Sequence, residues 1–311
     1  MTNPQTTGPD IIGLGLAMAD VVLRLREMPR WEAPGNLSGF TLADGGQVGT
    51  ACVVAAVLGE RAGFIDTFGN DEMAAHRLRA FERAGVDLSH RVERDAPENH
   101  IAIVYVKEDT GDRVFSFLPE LLSSPVQPEE LDRDYLTSAR YLHLDGLHHD
   151  AALQAARWMH EAGKTVVLDA SATDRPVSDP MRELVAETDV LICGSGFGPM
   201  LSGHQDLSRA GRAILEMGPR IVVQTEGADG SYTLTKDEEF HTPAFSVDVI
   251  DTTGAGDVFH GAYLVGLVRG WDLSRIATFA SAVSAIHCRV LGNQRGIPTM
   301  EEVETFIQER S

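Results

Sequence analysis

Residues 248–264, DVIDTTGAGDVFHGAYL, place two aspartates six positions apart just before an apolar run with helical character. Between Asp251 and Asp257 lie two threonines and then Gly254-Ala255-Gly256. The first amides of a helix have no intrahelical partner, and the helix dipole adds partial positive charge there. Small residues let an anion approach those amides closely. The segment therefore predicts an anion hole formed by Gly254, Ala255 and Gly256.

Asp257 belongs to the first turn of the same predicted helix. A carboxylate beside an anion hole suits a general base that removes a proton from an attacking hydroxyl. A purely structural role also fits, because glycines make tight strand-to-helix turns and Asp is common where a helix starts. These residues alone leave both interpretations open.

The composition is that of an ordinary globular protein. Of 311 residues, 43% are hydrophobic and 23% are charged, which suits one or two domains. The formal net charge of -20 argues against nucleic acid and anionic membranes as partners. The longest apolar run, near residues 50–59, is too short to span a bilayer, and the polar N-terminus does not read as a signal peptide.

The three cysteines, Cys52, Cys193 and Cys288, are far apart and form no CxxC pair. This spacing suggests neither a disulfide framework nor a zinc site, and we expect a reducing, cytoplasmic location. Cys52 and Cys288 lie in apolar helical stretches, where we expect them to be packing residues.

Strand-like and helix-like segments alternate over most of the chain. RYLHLDG (140–146), KTVVLDA (164–170), VLICGSG (190–196) and RIVVQTEG (220–227) read as strands separated by helices. This alternation predicts an α/β fold with a mostly parallel sheet covered on both faces. No linker or repeat divides the chain, so we predict a single domain over residues 1–311.

Two β-rich segments, about 20–45 and 99–120, interrupt the N-terminal half of this alternation. The second reads as a hairpin around Asp109-Thr110-Gly111-Asp112. We predict that the two segments pair into a small separate sheet, placed as a lid over the larger one.

DTTGAGD (251–257) resembles the second signature of the ribokinase-like (PfkB) carbohydrate kinase family, D-T-x-G-A-G-D. The resemblance covers nearly the whole chain. GGQVGTACVVAAVLG (45–59) with GFIDTFGND (63–71) resembles the first signature, and VVQTEGADGSY (222–232) resembles the nucleotide loop. The resemblance implies a ribokinase-like three-layer α/β/α sandwich with a small β-sheet lid. It also implies ATP-dependent phosphorylation of a hydroxyl on a sugar or similar polyol.

The resemblance assigns roles to individual residues. It makes Asp257 the catalytic base and Gly254, Ala255 and Gly256 the anion hole, and a lid that excludes water would suppress ATP hydrolysis. The remaining implied positions fall in two groups. The ATP loop would be Thr225, Gly227 and Gly230, and the substrate contacts would be Asp20, Gly45 and Gly46, with Thr50 in place of the usual sugar-binding Asn.

The resemblance also has implications for two cations, a monovalent cation and Mg²⁺. Some family members bind a monovalent cation, and Asp251 and Thr253 match its backbone ligands; Gly296 stands where those members carry a polar side chain. ATP chemistry requires Mg²⁺, but the family's N-x-x-E motif is replaced at its ends by Gly194 and Phe197, neither of which coordinates a hard cation. Asp169, at the end of a predicted strand, is the candidate metal ligand; a strand-end loop carboxylate is the alternative.

The C-terminal third is most similar to the sulfofructose kinase branch of the family, and Thr50 fits that branch. That branch reads its sulfonate through an Arg and an Asn. Here Leu147 and Phe117, or a neighbour of Phe117, stand at those places, so an anionic tail would be poorly held. We therefore keep this substrate as a minority alternative. The family resemblance also implies a homodimer formed through the lid.

Three further functions remain as alternatives. A nucleoside acceptor is possible within the same family, since Phe115 and Phe117 offer aromatic rings in the lid. A catalytically silent, sugar-sensing relative is a second, which the intact Asp257 opposes. An oxidoreductase is the weakest, because GLGLAM (13–18) lacks the third glycine of a dinucleotide motif and no helix clearly follows.

A polar cluster, Asp145, His148, His149 and Asp150, follows one predicted strand. Its residue types suit a metal, but the spacing matches no recognised signature. Open α/β sheets bind ligands at strand ends, so substrate contact by His148 or His149 is an alternative expectation. His260, three residues after Asp257, receives no role.

Overall fold

The computed structural model describes residues 8–111, 113–290 and 296–310. The strands, in chain order, are β1 (Ile11–Leu14), β2 (Met18–Leu25), β3 (Leu37–Gly45), β4 (Ala62–Ile65), β5 (Thr67–Phe68), β6 (Val92–Glu93), β7 (Ile101–Lys107), β8 (Arg113–Phe117), β9 (Tyr141–Leu144), β10 (Thr165–Ala170), β11 (Val190–Cys193), β12 (Ile221–Thr225), β13 (Ser231–Thr235) and β14 (Glu239–Thr242). The helices are α1 (Gln47–Val57), α2 (Glu72–Ala84), α3 (Arg133–Ser138), α4 (His149–Glu161), α5 (Asp179–Ala186), α6 (Phe197–Ser202), α7 (Leu207–Leu215), α8 (Ala255–Arg269), α9 (Leu273–His287) and α10 (Met300–Gln308). Among the described helices, none is both long enough and apolar enough to cross a bilayer.

The central sheet contains eight described strands in the order β14-β13-β12-β11-β10-β9-β1-β4. The six neighbouring strands β4, β1, β9, β10, β11 and β12 pair in parallel. β13 and β14 extend the sheet with antiparallel pairs. Successive side chains of a strand point to opposite faces. In β10, Val166 and Leu168 pack under α4 to α7, whereas Val167 packs under α1, α8 and α9. Both faces are therefore covered, and the predicted three-layer α/β/α sandwich is confirmed.

The two β-rich segments of the N-terminal half pair with each other in a second sheet, which we call the small sheet. Its strand order is β3-β2-β7-β8. β2 pairs antiparallel with β3 and parallel with β7, and β8 completes a hairpin with β7. The parallel β2–β7 pair joins segments that are distant in sequence, so the sheet forms only when both excursions meet.

One face of the small sheet looks toward the central domain. Asp20 of β2 pairs with Ala102, and Ala102 pairs with Phe117, so these three side chains share a face. By alternation, Phe115 and Arg113 of β8 lie on the same face. Arg113 reaches the turn before α8, where it donates hydrogen bonds to Asp251 Oδ1 (3.2 Å) and Thr252 Oγ1 (2.8 Å).

A buried network of charged side chains contacts the backbone just before β2. Arg77 of α2 donates to Asp66 Oδ2 and to Glu98 Oε2, both at 2.6 Å, and all three side chains are essentially inaccessible to solvent. Asp66 also accepts the amide of Ala17 (3.1 Å), just before β2, and His148 Nε2 (2.9 Å). One guanidinium thus compensates two buried carboxylates, which are expensive to leave unpaired.

Replacing Arg77 by Met keeps the length of the side chain and removes its charge. Because two buried carboxylates lose their partner, we expect Arg77→Met to lower the free energy of unfolding by about 3–5 kcal/mol, measured by urea denaturation. The control is Arg79→Met, at an exposed position two residues along the same helix, which should change stability by less than about 0.5 kcal/mol. Equal, small losses in the two variants would show that the network does not stabilise the fold.

Candidate functional site

The turn before α8 is built around Asp251 and Gly254. Asp251 Oδ1 accepts the backbone amide of Thr253 (2.9 Å) and its hydroxyl (2.6 Å). Gly254 is the N-cap of α8 with φ of 73°, a left-handed conformation that glycine adopts without strain. Two residues on, Gly256 is exposed, and a Cβ there would meet no atom within 4 Å. The start of α8 therefore opens onto free space.

The amides at this helix start are mostly available. In the described part of the chain, the N–H groups of Gly254 and Gly256 donate to no backbone carbonyl, while Ala255 donates a long bond to Thr252 O (3.2 Å). Open amides at a helix N-terminus, with the helix dipole behind them, favour an anion. The geometry supports the predicted anion hole at Gly254 and Gly256 more strongly than at Ala255.

Asp257 lies in the first turn of α8, beside these amides. Burial, followed by the negative charge of Asp145, raises the pKa of Asp257 to about 6. Its own amide partly offsets this by stabilising the carboxylate. A carboxyl whose pKa approaches the working pH meets the requirement for a general base.

Asp20 of β2 faces Asp257 from the small sheet. Burial raises the pKa of Asp20 to about 7, with further contributions from the charges of Asp257 and Asp44. No described residue donates a hydrogen bond to its carboxylate. Gly45 of the neighbouring strand packs against it so closely that a Cβ would lie 2.4 Å from Asp20 Oδ2. Asp20 is thus held in place by backbone packing and keeps its oxygens available to a ligand.

The remaining predicted substrate contacts behave differently from one another. Gly46, the N-cap of α1, has φ of 90° and lies against the backbone of Ala17, so the close turn requires glycine. Thr50 is completely buried within α1 and presents no surface to the cleft. Gln47, which the sequence analysis missed, donates to Asp169 Oδ1 (2.9 Å) and Ser171 Oγ (2.8 Å). In the sequence, the only sign of this role is the position of Gln47 directly after the Gly45-Gly46 turn.

Asp145 and Asp169 complete a group of four carboxyls with Asp20 and Asp257. Asp145 accepts the amides of Leu16 (2.7 Å) and Leu147 (2.9 Å), which hold its carboxylate in place. The pKa of Asp169 is raised well above its usual range by burial and by the charges of Asp257 and Asp145. These side chains come from β2, α8 and the ends of β9 and β10, so the fold gathers them at one end of the sheet.

The polar residues after β9, whose spacing matches no metal signature, do not come together as a metal-ligand group among the described residues. His148 donates through Nε2 to Asp66 (2.9 Å) and accepts the Val126 amide at Nδ1 (3.1 Å), so both ring nitrogens are used by the protein. His149 lies beside Glu183 (3.6 Å) at the start of α4. The group that does have metal-ligand spacing among the described residues is His143, Asp169 and His260. No local sequence spacing signals it, because the three residues come from separate elements.

The predicted ATP loop follows β12. Gly227 has φ of 56° with open space around it, as a ligand-facing glycine would. Gly230 also has a positive φ, but a Cβ there would lie 2.1 Å from the Thr242 carbonyl oxygen, so packing alone explains this glycine. The hydroxyl of Thr225 donates to Cys193 O (3.2 Å), which ties the loop to β11.

The predicted monovalent-cation position is altered by His287. The Nε2–H of His287 donates to the backbone oxygen of Thr253 (2.8 Å). A Cβ on Gly296 would lie 2.9 Å from the His287 carbonyl oxygen and 3.1 Å from Nδ1, so Gly296 leaves room for the histidine. An imidazole N–H therefore takes the carbonyl that a cation was expected to use.

The chain is similar to known carbohydrate kinases in sequence and in fold. The pfkB family carbohydrate kinase pattern matches residues 9–300. An aminoimidazole riboside kinase from Salmonella typhimurium is 30% identical, covering 89% of this chain and 92% of that protein. An ATP-dependent ribose-1-phosphate kinase from Halopiger xanaduensis is 28% identical over 96% of this chain and 98% of its own. The crystal structure of a ribokinase from Thermotoga maritima superposes with a TM-score of 0.84 at 26% identity, covering 96% of this chain and 99% of that one. This chain belongs to the pfkB family of carbohydrate kinases.

Proposed function

We propose that Asp257 is the general base with which this ATP-dependent sugar kinase deprotonates the acceptor hydroxyl. The observation that carries this proposal is the position of Asp257: a carboxylate with a raised pKa in the first turn of α8, beside the open amides of Gly254 and Gly256. The hydroxyl oxygen attacks the γ-phosphorus of ATP, the bond to the ADP oxygen breaks, and Asp257 takes the hydroxyl proton. The products are ADP and a sugar phosphate.

The start of α8 stabilises the transferring phosphoryl group in this proposal. In the transition state the charge of the transferring group is spread over its three equatorial oxygens, and preorganised amides aimed at these oxygens stabilise it. Gly256 has no side chain to block the approach. The loop after β12, with Thr225, Gly227 and Gly230, would hold the other phosphates and the ribose of ATP, and its open side at Gly227 supports this.

The acceptor would bind between Asp20 and Asp257. The carboxylate of Asp20 accepts hydrogen bonds from sugar hydroxyls, and Gly45 and Gly46 allow the backbone to come close. Thr50 is too deeply buried to join them without a rearrangement of α1. The family match favours a sugar over a nucleoside, and an intact base beside open amides disfavours a silent sensor.

The small sheet would act as a lid, formed by about residues 20–45 and 99–120. Its inner face carries Asp20 together with the parallel rings of Phe115 and Phe117, whose centroids are 6.0 Å apart. An apolar face closing over the acceptor expels water, which strengthens electrostatic interactions and suppresses transfer of phosphate to water.

Mg²⁺ would accompany ATP and neutralise charge on its phosphates. The residues around Asp169 do not fit this ion. Mg²⁺ takes oxygen ligands and keeps several waters, whereas Asp169 is buried beside two imidazoles. Gly194 packs against the backbone of Ala172, and Phe197 is a core residue, so neither supplies an oxygen side chain. We therefore assign no protein side chain to Mg²⁺ and derive no step through it.

The residues at the monovalent-cation position do not fit K⁺ either. The backbone oxygen of Thr253 already accepts the His287 N–H. We accordingly propose a mechanism without a potassium ion.

We also propose a reducing, cytoplasmic setting. Its support is that Cys52, Cys193 and Cys288 are all free and buried.

We also propose a homodimer formed through the outer face of the small sheet. Two rows of paired residues cross this face, and most of their members are apolar. One row is Leu42, Val21, Ile103 and Ser116, and the next is Phe40, Leu23, Tyr105 and Val114. Phe40 is 64% exposed and Val114 is 59% exposed. A contiguous exposed apolar patch of this kind marks an interaction surface.

Asp257→Asn removes the base with little change in shape. We expect kcat to fall by about 10²–10⁴-fold, measured by ADP release in a coupled assay, with ATP binding retained. Asp237→Asn, at an exposed turn between β13 and β14, is the matched control and should keep its kcat. Near-normal turnover by Asp257→Asn would refute the assigned role.

The pH dependence follows from the same carboxyl. The base acts as a carboxylate, and this form is lost as the pH falls through its pKa, so kcat/KM should decline on the acid side with an apparent pKa near 6. Since Asp20 titrates near 7 in the same cleft, the limb reports the coupled pair. Asp145→Asn removes a charge that raises the pKa of Asp257 and should move the limb to lower pH. A profile that stays flat down to pH 5 would contradict the proposal.

The dimer is tested by placing a charge at the centre of the outer face. Wild-type protein should sediment as a dimer, and Leu23→Glu should sediment as a monomer, because the charge would be buried unpaired. Met217→Glu introduces the same change at a half-exposed apolar residue outside the small sheet and should remain dimeric. A monomeric wild type would rule out the proposed interface.

A further inference from the structure

Three polar side chains meet behind Asp257, in the layer between the sheet and α8. His143 lies on β9, Asp169 on β10, and His260 on α8, one turn after Asp257. His143 is 0% exposed, and Asp169 and His260 are each 4% exposed. One donor atom from each lies within 4.8 Å of the other two. This arrangement, the buried triad, is not required by the phosphoryl transfer described above.

Each member of the buried triad has a polar atom with no partner among the described residues. These atoms are His143 Nε2, Asp169 Oδ2 and His260 Nδ1. A buried polar group without a partner destabilises the folded state, and native proteins satisfy nearly all such groups. His143 and Asp169 thus each offer an unpaired atom to a ligand, and Nε2 of His260 lies beside Asp169.

Neighbouring groups hydrogen-bond to two members of the triad, as neighbouring groups do to metal ligands in proteins. His143 Nδ1 lies 3.3 Å from Val167 O, and because a carbonyl only accepts, Nδ1 carries the proton and leaves Nε2 with a free lone pair. Gln47 donates to Asp169 Oδ1. Metal-binding histidines and carboxylates are held in this way by a backbone carbonyl or an amide.

We propose that His143, Asp169 and His260 bind one divalent transition-metal ion of the zinc class. Two imidazoles and a carboxylate form a common zinc donor set, with water as fourth ligand. Zinc bonds of about 2.0–2.1 Å require donors about 3.4 Å apart in a tetrahedral site. The His260 nitrogen beside Asp169 is Nε2, which lies 3.5 Å from Asp169 Oδ1. One donor atom from each of the three side chains lies within 4.8 Å of the other two, so small side-chain rotations bring the set together.

Such an ion would anchor the first turns of α8 to the central sheet. It would join α8 to β9 and β10. The proposed role of the ion is to hold these three elements together, and its binding can be tested without ATP or acceptor.

The first experiment measures binding directly, without ATP. The full-length protein is stripped with a chelator, dialysed against Co²⁺ or Zn²⁺, and its metal content is determined. We expect one ion per chain, visible d–d absorption of a four-coordinate Co²⁺ site, and a higher midpoint of thermal unfolding. Absence of these bands at saturating Co²⁺ overturns the proposal.

Variants then locate the ion. His143→Gln, His260→Gln and Asp169→Asn should each lose the Co²⁺ bands and bind at least 10-fold more weakly. His149→Gln, at a partly exposed histidine at the start of α4, is the matched control and should bind as wild type does. Circular dichroism of the stripped proteins checks that each variant folds. If the folded triad variants bind Co²⁺ like the control, the ion lies elsewhere and the assignment is wrong.

Discussion

The placement of α8 between α1 and α9 is the constraint on which the site depends. A Cβ on Gly261 would lie 2.6 Å from the Ala51 carbonyl oxygen, and one on Gly266 would lie 2.6 Å from Ile276. Both contacts are closer than any side chain allows, so glycine at these points lets the three helices approach. Dense packing fixes the helix axis, and with it the position of the open amides at Gly254 and of Asp257 one turn later.

That fixed helix makes it possible to gather several carboxyls in a small volume. Like charges near one another disfavour ionisation, and burial adds to the effect. The protein offsets part of this with backbone amides: two on Asp145, and the start of α8 beside Asp257. The part of this cost that the amides do not offset appears as the raised pKa values of Asp20 and Asp257. Sites of this kind trade stability for chemistry.

The sequence predicted the three-layer architecture and the local turn at residues 251–257 well, because both depend on short-range sequence patterns. Alternating strands and helices determine a parallel sheet, and Gly254 with Asp257 lie within one turn. Contacts between distant segments were not predictable. Gln47 meets Asp169, and His143 meets His260, only because the sheet order brings their elements together. Burial was not predictable either: the motif position of Thr50 suggests a substrate contact, and helix packing leaves the residue completely buried.

Glycines illustrate the same limit. Gly227 and Gly230 match one loop motif, yet Gly227 faces open space while Gly230 is enclosed by Thr242 and its neighbours. A motif records that glycine is needed without recording why. The position of His287 also lay beyond the sequence, since its contact with Thr253 joins the end of α9 to the turn before α8.

Arg113 gives the small sheet a direct connection to the turn before α8, where we propose that phosphate binds. Its guanidinium spans from β8 to Asp251 and Thr252, in the turn that leads into α8. If a sugar held against the small sheet strengthens or weakens this bridge, it changes the affinity for nucleotide by some factor. Reciprocity then demands that nucleotide change the affinity for sugar by the same factor. Cooperativity between the two substrates is thus available through one side chain, without any direct contact between them.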